Sequence, residues 1–203
     1  MTDPTTPAMR RPLGRLASCA TLGVLWVAAC AEPPGAPSVV EATVADLQRA
    51  LLEGETTCRA IVQAHLDRID AYDRSTGLHA ITVVNPRALA RADSIDAALA
   101  AGAEPGPLVC APLLVKDNFD THDLPTTGGS IALRESYPPD DAFMVRRVRE
   151  AGAIVVAKTN MAEWAFSPRQ TVSSSFGTTA NAYALDRVPA GSSGGTASGV
   201  AAS

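Results

Sequence analysis

The sequence predicts an α/β domain whose sheet is covered by helices on both faces. Stretches with apolar residues at helical spacing alternate with short, unbroken apolar runs, the pattern of strands buried on both sides. The composition agrees. Of 203 residues, 46% are hydrophobic and 19% charged, which suits a packed domain and excludes a disordered chain or a coiled coil. Two of the apolar runs end in a lysine, and polar residues just past such strand ends are where α/β sites tend to lie.

The elements follow in order. Thr43 and Asp46 have capping-box chemistry, Val44, Leu47 and Leu51 share a face, and Gly54 can end the helix, so 43–53 is predicted helical. A second helix is predicted over 57–73, from Ile61, Val62, Leu66 and Ile69 at helical spacing. Residues 79–84 form a β-type run. Asn85-Pro86 then offers cap and first-turn chemistry for a helix to about residue 101. Ala111–Val115 is an apolar strand ending in Lys116-Asp117-Asn118. Asp140-Asp141 precede a helix to about Ala151, and Ala153–Ala157 is a second such strand ending in Lys158. The Ala-rich end could begin a tightly packed helix.

Charge narrows the partners. There are 17 Lys+Arg against 21 Asp+Glu, and 4% of residues are aromatic. No basic stripe and no stacking platform for nucleic acid is present, so nucleic acid is not expected as a partner. At the N-terminus, Arg10, Arg11 and Arg15 precede the uncharged stretch Leu16–Ala29. It is too short to span a bilayer comfortably and has the proportions of a signal-peptide core. It ends in Val27-Ala28-Ala29-Cys30, which resembles a bacterial lipobox. The expectation is a signal peptide over 1–29, a lipidated Cys30 with a tether over 30–42, and a domain over 43–203. Such a chain is exported and membrane-anchored through lipid. The alternative is an ordinary secretory signal with a chance cysteine. Arg10-Arg11 followed by Pro12 and Gly14 fits twin-Arg export poorly.

Cys58 and Cys110 also lie in the expected domain. An exported protein could oxidise them to a disulfide. Cys58 falls on an apolar helix face, however, and two buried thiols is the reading preferred here.

Gly191-Ser192-Ser193-Gly194-Gly195 admits several readings. A phosphate-binding loop needs a lysine at its end, and none follows Lys158. A nucleophile elbow centred on Ser193 needs a histidine downstream, but His65, His79 and His122 are all upstream. A flexible Gly/Ser linker sits poorly between ordered-looking elements.

The fourth reading is a Ser–Ser–Lys hydrolase site, and several segments carry it together. They are Ala111-Pro112-Leu113-Leu114-Val115-Lys116-Asp117-Asn118, Leu124-Pro125-Thr126-Thr127-Gly128-Gly129-Ser130, Lys158-Thr159-Asn160-Met161-Ala162-Glu163-Trp164 and the Gly/Ser core. In this order the chain resembles the N-terminal portion of the amidase signature family, from about Val44 onward. The resemblance implies an α/β fold with a mixed central sheet, here truncated. It also implies hydrolysis of a carboxamide through an acyl-enzyme, with no metal and no organic cofactor. Lys116 matches the catalytic lysine. Burial among small residues would let a neutral amine act as general base. Ser192 matches the bridging serine, preceded in the family by a cis peptide bond. Gly191, Ser193, Gly194 and Gly195 match positions of structural support. The family's nucleophilic serine would lie beyond Ser203. The expectation is therefore a small-molecule or peptide amide substrate for the whole site, and no activity for these residues alone. The alternative is a catalytically dead lipoprotein with at most a binding role. The export signal disfavours the cytoplasmic member of the family that transamidates charged tRNA. Ala190, Thr196 and Val109-Cys110-Ala111 depart from the family's frequent Gly, Ser and His-Gly-Ile.

Overall fold

The computed structural model describes residues 37–202. The expected signal segment, Cys30 and the expected tether as far as residue 36 lie outside the described residues. Helix α1 spans Val44–Leu52 and carries the expected capping box. The Thr43 hydroxyl accepts the Asp46 N–H at 3.1 Å, and the Asp46 carboxylate accepts the Thr43 N–H at 3.1 Å. Helix α2 spans Cys58–Arg68 and is capped by the Thr57 hydroxyl. It ends as an α-helix earlier than the apolar spacing predicts, widening into a π turn over Ile69–Asp73. The reason lies at Asp73, which turns inward. Its carboxylate accepts the N–H groups of Ala80 (2.6 Å) and Ile81 (3.1 Å), joining the helix end to the first strand.

Strand β1 is Ile81–Val84 and helix α3 is Ala88–Ala100. Asn85 does the capping expected of it, its side chain accepting the Arg87 N–H at 2.9 Å, but regular helix begins only at Ala88. Strand β2 is Pro112–Lys116, helix α4 is Phe143–Glu150 and strand β3 is Ile154–Thr159. Asp141 does not cap α4. Its carboxylate accepts instead from the His122 backbone N–H at 3.0 Å. The Ser/Thr/Gly-rich stretch hides a small antiparallel hairpin, β4 (Val172–Ser173) with β5 (Gly177–Thr178), too short for any periodicity to show. Helix α5 is Gly194–Ala201.

The sheet is mixed, in the order β1-β3-β2. β1 runs antiparallel to β3, and β2 runs parallel to it. β3 is central, and all its residues are buried. Its side chains alternate between two cores. Ile154 and Val156 join Leu47, Leu51, Ile61, Val62 and Ile95 of α1–α3. Val155 joins Val115, Leu124 and Val145 of α4 on the other face. No helix among the described residues is long and apolar enough to cross a membrane.

One expectation is corrected. Cys58 and Cys110 are not two separate thiols but a disulfide, with Cα atoms 5.6 Å apart. Both lie in the α1–α3 core, where the start of α2 meets the loop before β2. Their sequence separation of 52 residues carries no sign of that proximity.

Candidate active site

The parallel pairing of β2 and β3 brings the two lysine-bearing strand ends side by side, with Lys116 in register with Thr159. They are the only lysines in the chain. Lys116 is half-buried, and its Nζ lies 2.7 Å from the Ser192 Oγ. Residues 76 apart in sequence thus meet in one hydrogen bond. Burial alone lowers the Lys116 pKa, because leaving water disfavours the ammonium form.

The next residue, Asp117, is fully buried. Its carboxylate accepts from the Thr127 hydroxyl, and from the backbone N–H groups of Thr127 and Gly129 at 3.3 Å each. Burial raises the Asp117 pKa. These hydrogen bonds and the Lys158 ammonium act in the opposite direction without cancelling it. The 127–129 turn wraps this carboxylate. Gly129 has a φ of +81°, and a Cβ there would lie only 3.0 Å from the Glu163 Cα. Asp117 therefore builds the wall beside Lys116.

Ser192 sits in the loop entering α5. The Gly191–Ser192 peptide bond is cis. A side chain at Gly191 would run into the carbonyls of Ser167 and Gln170. The Ser192 carbonyl accepts the Ala162 N–H at 3.0 Å. Gly194 and Gly195 are buried, and a Cβ on Gly195 would strike the Asn160 backbone. Ser193 is exposed and stands at the head of α5. Its carbonyl accepts the Ala197 N–H at 3.1 Å, while its side chain makes no cap hydrogen bond. The structure thus brings together Lys116, Ser192 and the three glycines, and turns Ser193 toward solvent.

Two of the departures from the family pattern have a backbone consequence. Ala190 (φ +65°) and Cys110 (φ +57°) occupy left-handed conformations that a glycine would adopt freely. Thr196, the third, has its hydroxyl 2.7 Å from that of Thr159 and so binds α5 to β3.

Sequence reasoning placed Lys158, Thr159 and Asn160 in one of the segments that carry the family resemblance, and Lys158 at the end of an apolar run, but gave none of the three a role in the site. All three are fully buried and hydrogen-bonded. Lys158 has a pKa lowered to about 8: burial lowers it, and Asp117, Asp120, Asp123 and Asp141 partly restore it.

Among the described residues, one grouping has the side chains of a metal site, namely His122, Asp123 and Asp141, with ligand atoms within 4.8 Å of one another. A guanidinium already serves it. Arg149 bonds Asp123 at 2.6 and 3.2 Å and lies 3.2 Å from Asp141. Burial would raise the Asp141 pKa, but hydrogen bonds from His122 and the charges of Arg149 and His122 outweigh it and hold the carboxylate below its usual value.

The family model described as Amidase matches residues 60–203. Among sequence relatives, a glutamyl-tRNA(Gln) amidotransferase subunit from Acidothermus cellulolyticus is 42% identical over 165 residues, covering 81% of this chain and 32% of the relative. Its counterpart from Halorhodospira halophila is 45% identical over 161 residues, covering 79% and 32%. Among solved structures, the peptide amidase of Stenotrophomonas maltophilia superposes with a TM-score of 0.74 at 42% identity, covering 78% of this chain and 33% of that one. This chain spans about a third of the length of the relatives it matches.

Proposed function

Because the chain belongs to the amidase family, we propose that it carries the base and the proton relay of an amide-hydrolysing site. The observation behind this reading is the 2.7 Å contact between the Lys116 amine, its proton affinity lowered by burial, and the Ser192 hydroxyl. In the neutral form, Lys116 takes the proton of Ser192. Ser192 in turn takes the proton of a nucleophilic serine, expected past Ser203. That serine attacks the carboxamide carbon, the C–N bond breaks, and ammonia or an amine leaves with the relayed proton. Water then releases the acid from the acyl-enzyme. Gly191, Gly194 and Gly195 let the Ser192 loop approach the strand ends. Small-molecule or peptide amides are the substrate class, in keeping with the similarity to a peptide amidase. The net charge of −4 does not favour a tRNA partner.

The test is a chimera that joins these residues in frame to the remaining part of an amidase relative, with ammonia release measured from amides and C-terminally amidated peptides. Lys116→Ala and Ser192→Ala should each lower kcat by about 10²–10⁴, the range for a general base. Ser193→Ala should fall far less. A polypeptide of these 203 residues alone is expected to show no turnover. Turnover by that polypeptide surviving Ser192→Ala would remove the assignment and leave the dead-lipoprotein reading untenable as well.

We further place the protein in the cell envelope, lipidated at Cys30. The n-region, the short apolar stretch and the lipobox support this, and the Cys58–Cys110 disulfide suits an oxidising compartment. Wild type should partition into detergent and Cys30→Ala into the aqueous phase. Equal aqueous partitioning would sink the idea.

A further inference from the structure

β3 ends in Lys158 and Thr159, Asn160 follows, and each of these three buried residues holds a different piece of the site. Lys158 grips the segment that leaves Lys116. Its Nζ donates to the carbonyls of Phe119 (2.8 Å) and Pro125 (3.1 Å) and to the hydroxyls of Thr121 (3.2 Å) and Thr126 (2.9 Å). Thr159 holds both sides. Its carbonyl accepts the Asp117 N–H at 3.1 Å, and its hydroxyl meets that of Thr196 in the first turn of α5. The Asn160 carbonyl accepts the Gly195 N–H at 3.1 Å, and its side chain bonds Ser173, Gly177 and Thr179 of the β4–β5 hairpin region.

The Lys158 cage is built for a cation. An ammonium has three hydrogens and no acceptor, and the cage offers four oxygen acceptors with the Asp117 carboxylate 3.8 Å away. The other acids acting on it are Asp120, Asp123 and Asp141. A charge that is fully out of water persists only with this degree of satisfaction. Lys158 has no hydrogen bond to Lys116 or Ser192, so it plays no direct part in their proton transfer.

We propose that Lys158 is a positioning residue of the site: by pinning residues 119–126 to the strand end that also holds the first turn of α5, it sets the separation of the Lys116 amine and the Ser192 hydroxyl. The proposal rests on the reading of Lys116 and Ser192 given above. Without the pin, residues 119–126 lose their four bonds to β3 and the segment is tied to it through the Asp117 N–H on the Thr159 carbonyl, while α5 keeps its own anchors. The two groups then drift relative to each other, and water reaches the Lys116 amine.

The test uses the full chain labelled with ¹³C at the lysine ε carbons, which yields two signals because there are two lysines. Each signal is titrated with pH. In Lys158→Met the remaining signal, Lys116, should titrate higher than in wild type by about half a pH unit or more, as its desolvation is relieved. Thr126→Val removes one cage acceptor, keeps the lysine, and should shift Lys116 in the same direction by less. A folded Lys158→Met, judged by circular dichroism, with unchanged Lys116 titration overturns the proposal. If Lys158→Met does not fold, unchanged Lys116 titration in Thr126→Val overturns it. Ser192→Ala separates the two levels. If it leaves the Lys116 titration unmoved, the base-and-relay reading fails. If it moves the titration while the cage variants do not, the positioning role alone fails.

Discussion

Lys116 donates to Ser192 in a half-buried setting, whereas Lys158 is fully buried among four oxygen acceptors. The same side chain thus stands in two environments with different consequences. At Lys116, burial without a carboxylate against the amine favours loss of the proton. At Lys158, acids temper that loss, and the pKa stays at about 8, so the cation persists at neutral pH. Stability then depends on pH. Folded Lys158 releases its proton near pH 8, and the unfolded side chain releases it near its ordinary value of 10.5. Between these values the unfolded chain binds more protons, so the contribution of Lys158 makes stability rise with pH across that window and stay flat below it. Urea midpoints measured from pH 7 to 10 should show a smaller rise in Lys158→Met than in wild type, the part that remains coming from groups such as Lys116, whose pKa burial also lowers. A parallel response in both would show that Lys158 is not the group responsible.

At the scale of elements, α5 shows local propensity losing to close approach. Glycine in a helix costs about 1 kcal/mol relative to alanine, so Gly→Ala is stabilising in an exposed helix. In α5 the outcome depends on which face the glycine occupies. A Cβ at Gly195 would lie 2.6 Å from the Asn160 backbone nitrogen and 2.8 Å from the Ala80 carbonyl oxygen, and neither backbone can give way easily. A Cβ at Gly199 would meet the tip of Leu114 at 2.7 Å, a flexible side-chain end. Gly195→Ala should therefore destabilise by about 1–3 kcal/mol, the usual cost of overpacking. Gly199→Ala should change stability by less than about 1 kcal/mol. Denaturant unfolding of the two variants checks the difference, and equal effects would mean that α5 does not press on β3 as described. Gly195→Ala should also disturb the Lys116–Ser192 contact, since Ser192 enters the same helix.

At the scale of the whole molecule, the described residues form a three-stranded sheet whose outer strands, β1 and β2, each have one hydrogen-bonded neighbour. Apart from Ile81, whose N–H and carbonyl bond Asp73 and Arg74, their outer edges leave backbone donors and acceptors without a strand partner. Large apolar side chains are exposed as well, Phe166 at 86% and Trp164 at 52% among them. A polypeptide of residues 30–203 should therefore associate as its concentration rises, visible as a concentration-dependent sedimentation coefficient. Monomeric sedimentation at all concentrations would contradict this.

How much of the fold and site was legible in the sequence depends on the range of the signal. The α1 capping box, the apolar face of α2 and the apolar runs of β2 and β3 are local patterns, and each has its counterpart in the structure, with element ends displaced by one to a few residues. The order of motifs around Lys116 and Ser192 likewise pointed to the amidase family, because several short matches in sequence constrain more than any one of them. Contacts between distant residues left no such trace. The Cys58–Cys110 bond, the inward turn of Asp73 that converts the end of α2 to a π turn, the two-residue strands of the hairpin and the Lys158 cage all depend on partners that folding alone brings near. By hydropathy pattern alone, a lysine at the end of an apolar run reads the same whether it meets a serine or four oxygens, and only the family resemblance set Lys116 apart. The parallel register of β2 on β3, and the loops that close over it, decided which lysine became which.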